Sequence, residues 1–216
     1  MEDAVELLAD RCLDALAKAP PGKRLLFGLA GCPGSGKSTL ARKLAEWQQH
    51  VAVLPMDGFH LSRAQLDALP NAAEAHARRG APWTFDAEAF VGTVRTLSSS
   101  AATVLAPSFD HSVGDPVPNA ISILPTHRVV IVEGNYLLLD TPPWRELREL
   151  LTEVWFVDVS PQTALRRIVH RHQVVWGMSE AEATARATSN DLPNAELVWA
   201  GRAAATLLVP NEDEVL

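Results

Sequence analysis

The sequence predicts an α/β fold: a doubly wound, five-stranded parallel sheet with helices on both faces. Three observations predict it. Short all-apolar runs of four to six residues recur along the chain, the pattern of parallel strands buried on both sides. Segments of helical periodicity separate these runs, which implies right-handed crossovers packed on the sheet. A chain of 216 residues with 47% apolar and 21% charged residues is long and apolar enough to bury one core, so residues 1–216 read as a single domain.

Each element has a local reason. Val5, Leu8, Cys12 and Leu16 recur at helical spacing, so residues 3–18 read as an amphipathic helix that ends at Pro20-Pro21-Gly22. Residues 25–30 form the first apolar strand, a glycine-rich turn follows, and residues 37–47 read as a helix. Residues 51–56 form the second strand. Phe90, Val94 and Leu97 line one face of a helix over residues 86–97. Residues 103–106 and 121–124 read as a small pair of strands around 107–120, whose prolines and glycine mark it as loop. Residues 129–132 and 154–157 are buried strands, with a proline-initiated helix between them from Pro142-Pro143. Residues 161–172 and 179–187 read as helices, and 206–209 as the last strand.

Several function classes are disfavoured. A formal net charge of -7 lacks the basic face that nucleic-acid binding usually needs. No window approaches the roughly 18 apolar residues of a membrane span, and the acidic N-terminal segment lacks a basic, cleavable leader pattern. Cys12 and Cys32 are too few for a disulfide framework or a zinc site. Reduced, structural thiols fit a cytoplasmic protein.

The strongest local signal is Gly31-Cys32-Pro33-Gly34-Ser35-Gly36-Lys37-Ser38-Thr39, which fits the phosphate-binding pattern G-x-x-x-x-G-K-[ST]. Gly31, Gly34 and Gly36 let the backbone curl so that successive N–H groups, including that of Ser35, face phosphate oxygens. The following helix presents its N-terminus to the same anion. Lys37 can reach the β- and γ-phosphates, and the Ser38 hydroxyl can ligate magnesium. ATP with Mg²⁺ is therefore the expected cofactor pair.

Three further features bear on the reaction. Asp57, just past the second strand, can take a proton from an attacking hydroxyl and help hold magnesium. Glu133 ends an apolar strand, where a second acidic group for magnesium belongs. Arg166, Arg167 and Arg171 lie on the helix over 161–172, and the last two share a face at i, i+4. Arginines closing over the phosphates would neutralise transition-state charge and exclude water.

Together these residues resemble the uridine kinase, phosphoribulokinase and bacterial pantothenate kinase group of P-loop enzymes. The closer likeness is to a bacterial nucleoside/nucleotide kinase-like, fructose-transport-linked branch. It runs from about Leu25 to Val209 and is carried by GCPGSGKST, PMDGFHL, RRGAPWTFD, PSFDHSVGDP, VVIVEGNYLLL and NDLPNA. The resemblance implies a P-loop NTPase fold, Asp57 as base, and Lys37, Ser38 and Glu133 serving ATP and Mg²⁺. It also implies a helical lid over about 161–190. Acceptor-site insertions are expected over about 57–86 and 107–120, with Asp86, Phe109, Asp110 and His111 on the acceptor side. Where uridine kinases hold the pyrimidine with a histidine and an arginine, this chain has Gly114 and Pro116, which argues against uridine or cytidine.

From the residues alone, His60 reads equally as an acceptor contact or a turn cap, and Asp86 as a partner for a vicinal diol. Arg78 and Arg79 read as a solvated pair, with an acidic acceptor as the alternative. Trp83 and Phe109 read as core, with stacking on a ring as the alternative. Asn190, Asp191 and Asn194 read as turn caps between helices, with a nucleotide-base contact as the alternative. The expected activity is ATP-dependent phosphoryl transfer to a small-molecule hydroxyl, of sugar, nucleoside or vitamin-precursor type. A regulatory ATPase or switch without an organic acceptor is the alternative. A homodimer is the expected assembly, with neither nucleic acid nor membrane as partner.

Overall fold

The computed structural model describes residues 1–110 and 113–211, Asp110 by its backbone alone. In chain order the elements begin with helix α1 (Glu2–Lys18), strand β1 (Leu25–Gly31), helix α2 (Lys37–Trp47) and strand β2 (Val51–Pro55). Short helices α3 (Arg63–Asp67) and α4 (Ala72–Ala77) precede α5 (Ala87–Ser99) and the strands β3 (Val104–Asp110) and β4 (Asp115–Ile123). Strand β5 (Val129–Gly134), helix α6 (Leu147–Leu150) and strand β6 (Glu153–Asp158) follow. Helices α7 (Pro161–Trp176), α8 (Glu180–Arg186) and α9 (Leu192–Ala200) lead to strand β7 (Leu207–Pro210).

The five expected strands form one sheet, in the order β2-β5-β1-β6-β7, and every pairing is parallel. All residues of β1 and β5 are buried, which accounts for their apolar sequences, with Glu133 near the end of β5 the exception. Phe27 and Trp155 stack on adjacent strands with ring centres 4.8 Å apart. The order puts β1 in the middle, so the glycine loop leaves the carboxyl edge between the ends of β5 and β6. In sheets of this kind ligands bind at such an edge.

Two ion contacts tie the periphery down. Arg11 on α1 donates to Glu153 through Nε at 2.9 Å and Nη2 at 3.0 Å, and Trp155 Nε1 donates to the same carboxylate at 2.7 Å. The buried Arg24 guanidinium donates to the carbonyls of Ser100 at 2.8 Å, Leu124 at 3.0 Å and His127 at 3.1 Å. A buried cation needs such partners, and here it joins three connections at the amino edge of the sheet.

The secondary structure departs from the sequence reading in three places. The segment 107–120 is largely paired: β3 and β4 form an antiparallel hairpin with a register shift between Ala106 and Ser108. Proline is tolerated in edge strands and at bulges, so Pro107, Pro116 and Pro118 do not prevent pairing. Helices α3, α4 and α9 were not expected; α3 and α4, at five and six residues, have too few turns for a periodic signature. Residues Asn190, Asp191 and Asn194 are not caps. A π-helical turn over Ala187–Asp191 continues into α9, with Asn190 and Asn194 buried. Among the described residues, no helix is long and apolar enough to cross a membrane.

Candidate active site

The glycine loop bends as its sequence requires. Gly34 has φ 81° and Gly36, the residue capping α2, has φ 92°, both in the left-handed region where a side chain is strained. Ser35 between them is wholly buried, and its Oγ has no partner among the described residues. Lys37, Ser38 and Thr39 open α2, so their N–H groups lie at a helix N-terminus.

Strand pairing brings the acidic residues to this loop. Glu133, only 6% exposed, lies beside Pro55 across the β2–β5 pairing, and Asp57 follows two residues later in the 3₁₀ turn Met56–Phe59. Glu133 Oε1 is 3.7 Å from the Lys37 Nζ and accepts a hydrogen bond from Ser38 Oγ at 3.2 Å. Burial pushes the Glu133 carboxyl up. The Lys37 ammonium opposes that shift, and the nearby Asp57 charge adds to it. A hydroxyl and a buried carboxylate are hard oxygen ligands, the donor set that suits magnesium held jointly with phosphate oxygens. Among the described residues no group of three or more His, Cys, Asp and Glu side chains could hold a metal ion, so an all-protein cage is not what these residues build.

The acceptor side is assembled from the 57–86 insertion and the hairpin. The insertion closes at its neck, where Leu61 N donates to Thr84 O at 2.9 Å and Asp86 N to Phe59 O at 2.8 Å. His60 Nδ1 lies 2.8 Å from the Asp57 carbonyl, and its ring sits 4.0 Å from Phe85 and 4.7 Å from Phe109. Below this bracket, Phe59, Phe85, Phe90, Tyr136 and Trp144 form an aromatic cluster. The Tyr136 hydroxyl donates to the Gly80 carbonyl at 2.5 Å, and burial pushes its pKa up.

Asp57, His60 and Phe109 therefore come together, with the Asp57 charge felt by Glu133 at the phosphate loop. Asp86 is near but differently employed: it caps α5, its Oδ1 accepting from Ala89 N at 2.9 Å. His111 and the Asp110 side chain lie outside the described residues. Arg167 donates from Nη1 to the Ser35 carbonyl at 3.3 Å and from Nη2 to the Asn211 carbonyl at 2.8 Å, which braces the loop. Arg171 is exposed on α7. Burial pushes the Asp191 carboxyl up, and the charges of Arg171, Arg186 and Arg78 oppose that shift.

Arg78 and Arg79 are not a solvated pair. Arg78 donates to Ser189 O at 2.7 Å and to Asn194 Oδ1 at 3.3 Å. Arg79 donates to Gly114 O at 2.5 Å, Leu61 O at 2.8 Å and Asp115 Oδ1 at 2.9 Å, with its guanidinium carbon 5.4 Å from the Phe109 ring centre. It clamps the hairpin to the insertion. Trp83, expected in the core, is 43% exposed. The Cys32 thiol is buried and pushed up to about 11 by burial, which leaves it a poor nucleophile. Sequence reading missed Phe85 as half of the His60 bracket, although it stands beside Asp86. It also missed Asn211, for which no one-dimensional signal exists.

Comparison with known proteins agrees with this architecture. The model of the phosphoribulokinase / uridine kinase family matches residues 26–195. A Schizosaccharomyces pombe protein provisionally named a uridine kinase is 45% identical over 185 residues, 82% of this chain and 78% of that protein. An ATP-dependent kinase-like protein of Aspergillus versicolor is 44% identical over 161 residues, 72% of this chain and 93% of that one. The crystal structure of a protein from Silicibacter sp. TM1040, provisionally described as a fructose transport system kinase, is 37% identical with a TM-score of 0.83, covering 94% of this chain and 98% of that chain. The P-loop at the centre of a five-stranded parallel sheet and a family match across most of its length lead to one conclusion: the chain belongs to the phosphoribulokinase/uridine kinase family.

Proposed function

We propose that this kinase moves the γ-phosphoryl group of Mg·ATP to a hydroxyl of a small metabolite, with Asp57 as the base. The supporting observation is the convergence of Lys37, Ser38, Glu133 and Asp57 at the carboxyl edge of β1, β2 and β5. The loop N–H groups and Lys37 hold the triphosphate. Ser38 and Glu133 are the residues that would hold magnesium, which when bound offsets the charge shared between β- and γ-phosphates.

Asp57 accepts the proton of the acceptor hydroxyl as that oxygen bonds to the γ-phosphorus. The bond from phosphorus to the bridging oxygen breaks, and ADP leaves with the electron pair. Arg171 on α7 meets the transferring group when the lid closes, while Arg167 keeps the loop in shape. His60, Phe85 and Phe109 give the acceptor an aromatic wall with one polar edge, as small-ligand sites commonly have. Asp86, through the carboxylate oxygen that does not cap α5, joins His111 and Asp110 on the acceptor side, as the family resemblance implies. Gly114, its carbonyl engaged by Arg79, offers no pyrimidine reader, so a sugar or sugar-like polyol is favoured over a nucleoside.

The test is ADP formation from Mg·ATP with and without a panel of sugars, sugar phosphates, nucleosides and pantothenate. One member should stimulate turnover. Asp57→Asn should then retain ATP binding and lose about 10²- to 10⁴-fold in turnover. Unchanged turnover in that variant removes Asp57 from the chemistry. Slow hydrolysis indifferent to every compound would favour an ATPase without an organic acceptor.

A further inference from the structure

On the reading that residues 31–39 hold the nucleotide phosphates, we propose that Asn211 is a positioning residue for phosphate binding, turning the Gly36 N–H toward the anion by holding the Ser35 carbonyl away from it. Asn211 stands directly after β7, far from the loop in sequence, and is only 7% exposed. Its Nδ2 donates to the Ser35 carbonyl at 2.7 Å, and Arg167 Nη1 donates to the same oxygen at 3.3 Å. Arg167 Nη2 in turn holds the Asn211 carbonyl at 2.8 Å, so both donors and their acceptor form one small network.

The geometry of the peptide bond supplies the consequence. In a trans peptide the carbonyl of one residue and the N–H of the next point in opposite directions. A fixed Ser35 carbonyl therefore fixes the Gly36 N–H on the opposite side of the loop. Gly36 is the flexible point, at φ 92°, where a glycine peptide is otherwise free to rotate. The contact is also tight. A Cβ added at Gly36 would lie 2.6 Å from Asn211 Nδ2, so Asn211 occupies the space against which the glycine rests. The last strand and the first helix of the lid segment thus act together on one peptide of the phosphate loop.

The experiment measures binding of Mg·ATP, and separately of inorganic tripolyphosphate with magnesium, to the whole chain by calorimetry. Asn211→Ala should weaken both ligands by about tenfold, the lower end of what one misdirected hydrogen bond to an anion forfeits. The thermal unfolding midpoint should stay near that of the wild type. Equal loss for tripolyphosphate locates the effect at the phosphates, which general loosening of β7 would not do. Wild-type affinity for both ligands in Asn211→Ala overturns the assignment and leaves the kinase reading standing. Failure of the wild-type chain to bind either ligand refutes the phosphate-loop reading itself, and the role of Asn211 with it. Should Asn211→Ala not fold, Asn211→Asp keeps the shape and removes the donor, and wild-type affinity in that variant overturns the assignment equally.

Discussion

Gly58 sits in the turn that carries Asp57, and a single methyl group there tests how the acceptor side is built. A Cβ at this position would lie 2.7 Å from the Pro107 carbonyl carbon and 3.3 Å from Ser108 Cα. Both are backbone atoms of β3, which is paired to β4, so neither can swing aside as a side chain would. The turn or the hairpin must retreat by several tenths of an ångström to about 1 Å. Overpacking of this kind typically destabilises by about 1–3 kcal/mol. The backbone of Gly58 is not left-handed, so the ordinary entropic effect of Gly→Ala alone would stabilise by about 0.4–1 kcal/mol. The two effects have opposite signs, and the close approach should win.

Gly92 is the matched control. It lies inside α5, and a Cβ there meets nothing within 4 Å. Gly92→Ala should raise stability by about 0.5–1 kcal/mol. In urea unfolding at one pH, Gly58→Ala should move the midpoint down and Gly92→Ala should move it up. By heat, each kcal/mol corresponds to about 2–4 °C for a chain of this size. Because Asp57 adjoins Gly58, turnover of the Gly58→Ala variant should fall by on the order of 10²-fold, as displacements near 1 Å do. A Gly58→Ala protein as stable as the wild type, or more so, would show that the hairpin does not press on the turn.

Removing the Lys37 ammonium takes away both a cation for the phosphates and the charge that offsets the buried Glu133 carboxyl. Lys37→Ala should therefore weaken ATP binding by about 10- to 100-fold, and wild-type phosphoryl transfer in it would refute the phosphate-loop assignment. Burial pushes the Glu153 carboxyl up, but donation from Arg11 and Trp155 outweighs it and holds the group below its ordinary value of 4.5. Its stabilisation is present above that value and lost as pH falls through the lower, folded one. Glu153→Gln should cost about 1 kcal/mol at pH 7, with the gap to wild type closing as pH falls through the lowered folded value, and a gap constant with pH would contradict the pairing.

Much of this protein is legible in one dimension because the physics behind it is local. Apolar runs specify strands buried on both faces, and all five lie where they were read, since nothing but a sheet interior suits Leu25–Ala30 or Val129–Val132. The phosphate loop is equally local. Glycines, lysine and serine at fixed spacing mark its turn and its charge within nine consecutive residues. Asp57 and Glu133 were marked by position, as carboxylates at the ends of apolar strands. That they stand side by side required the order β2-β5-β1, which no stretch of sequence states.

The remaining features were decided by tertiary contact. Pro107, Pro116 and Pro118 signal a loop, yet the edge of a two-stranded hairpin accommodates them. Arg79 reads as a surface charge until Leu61, Gly114 and Asp115 are brought around it from distant parts of the chain. Asn211 is the extreme case: a polar residue after the last strand acquires its meaning only from a carbonyl 176 positions earlier. Hydrogen bonds between side chains and distant backbone depend on where folding puts both partners, so composition and periodicity specify the frame and the packed structure decides which polar groups serve the site.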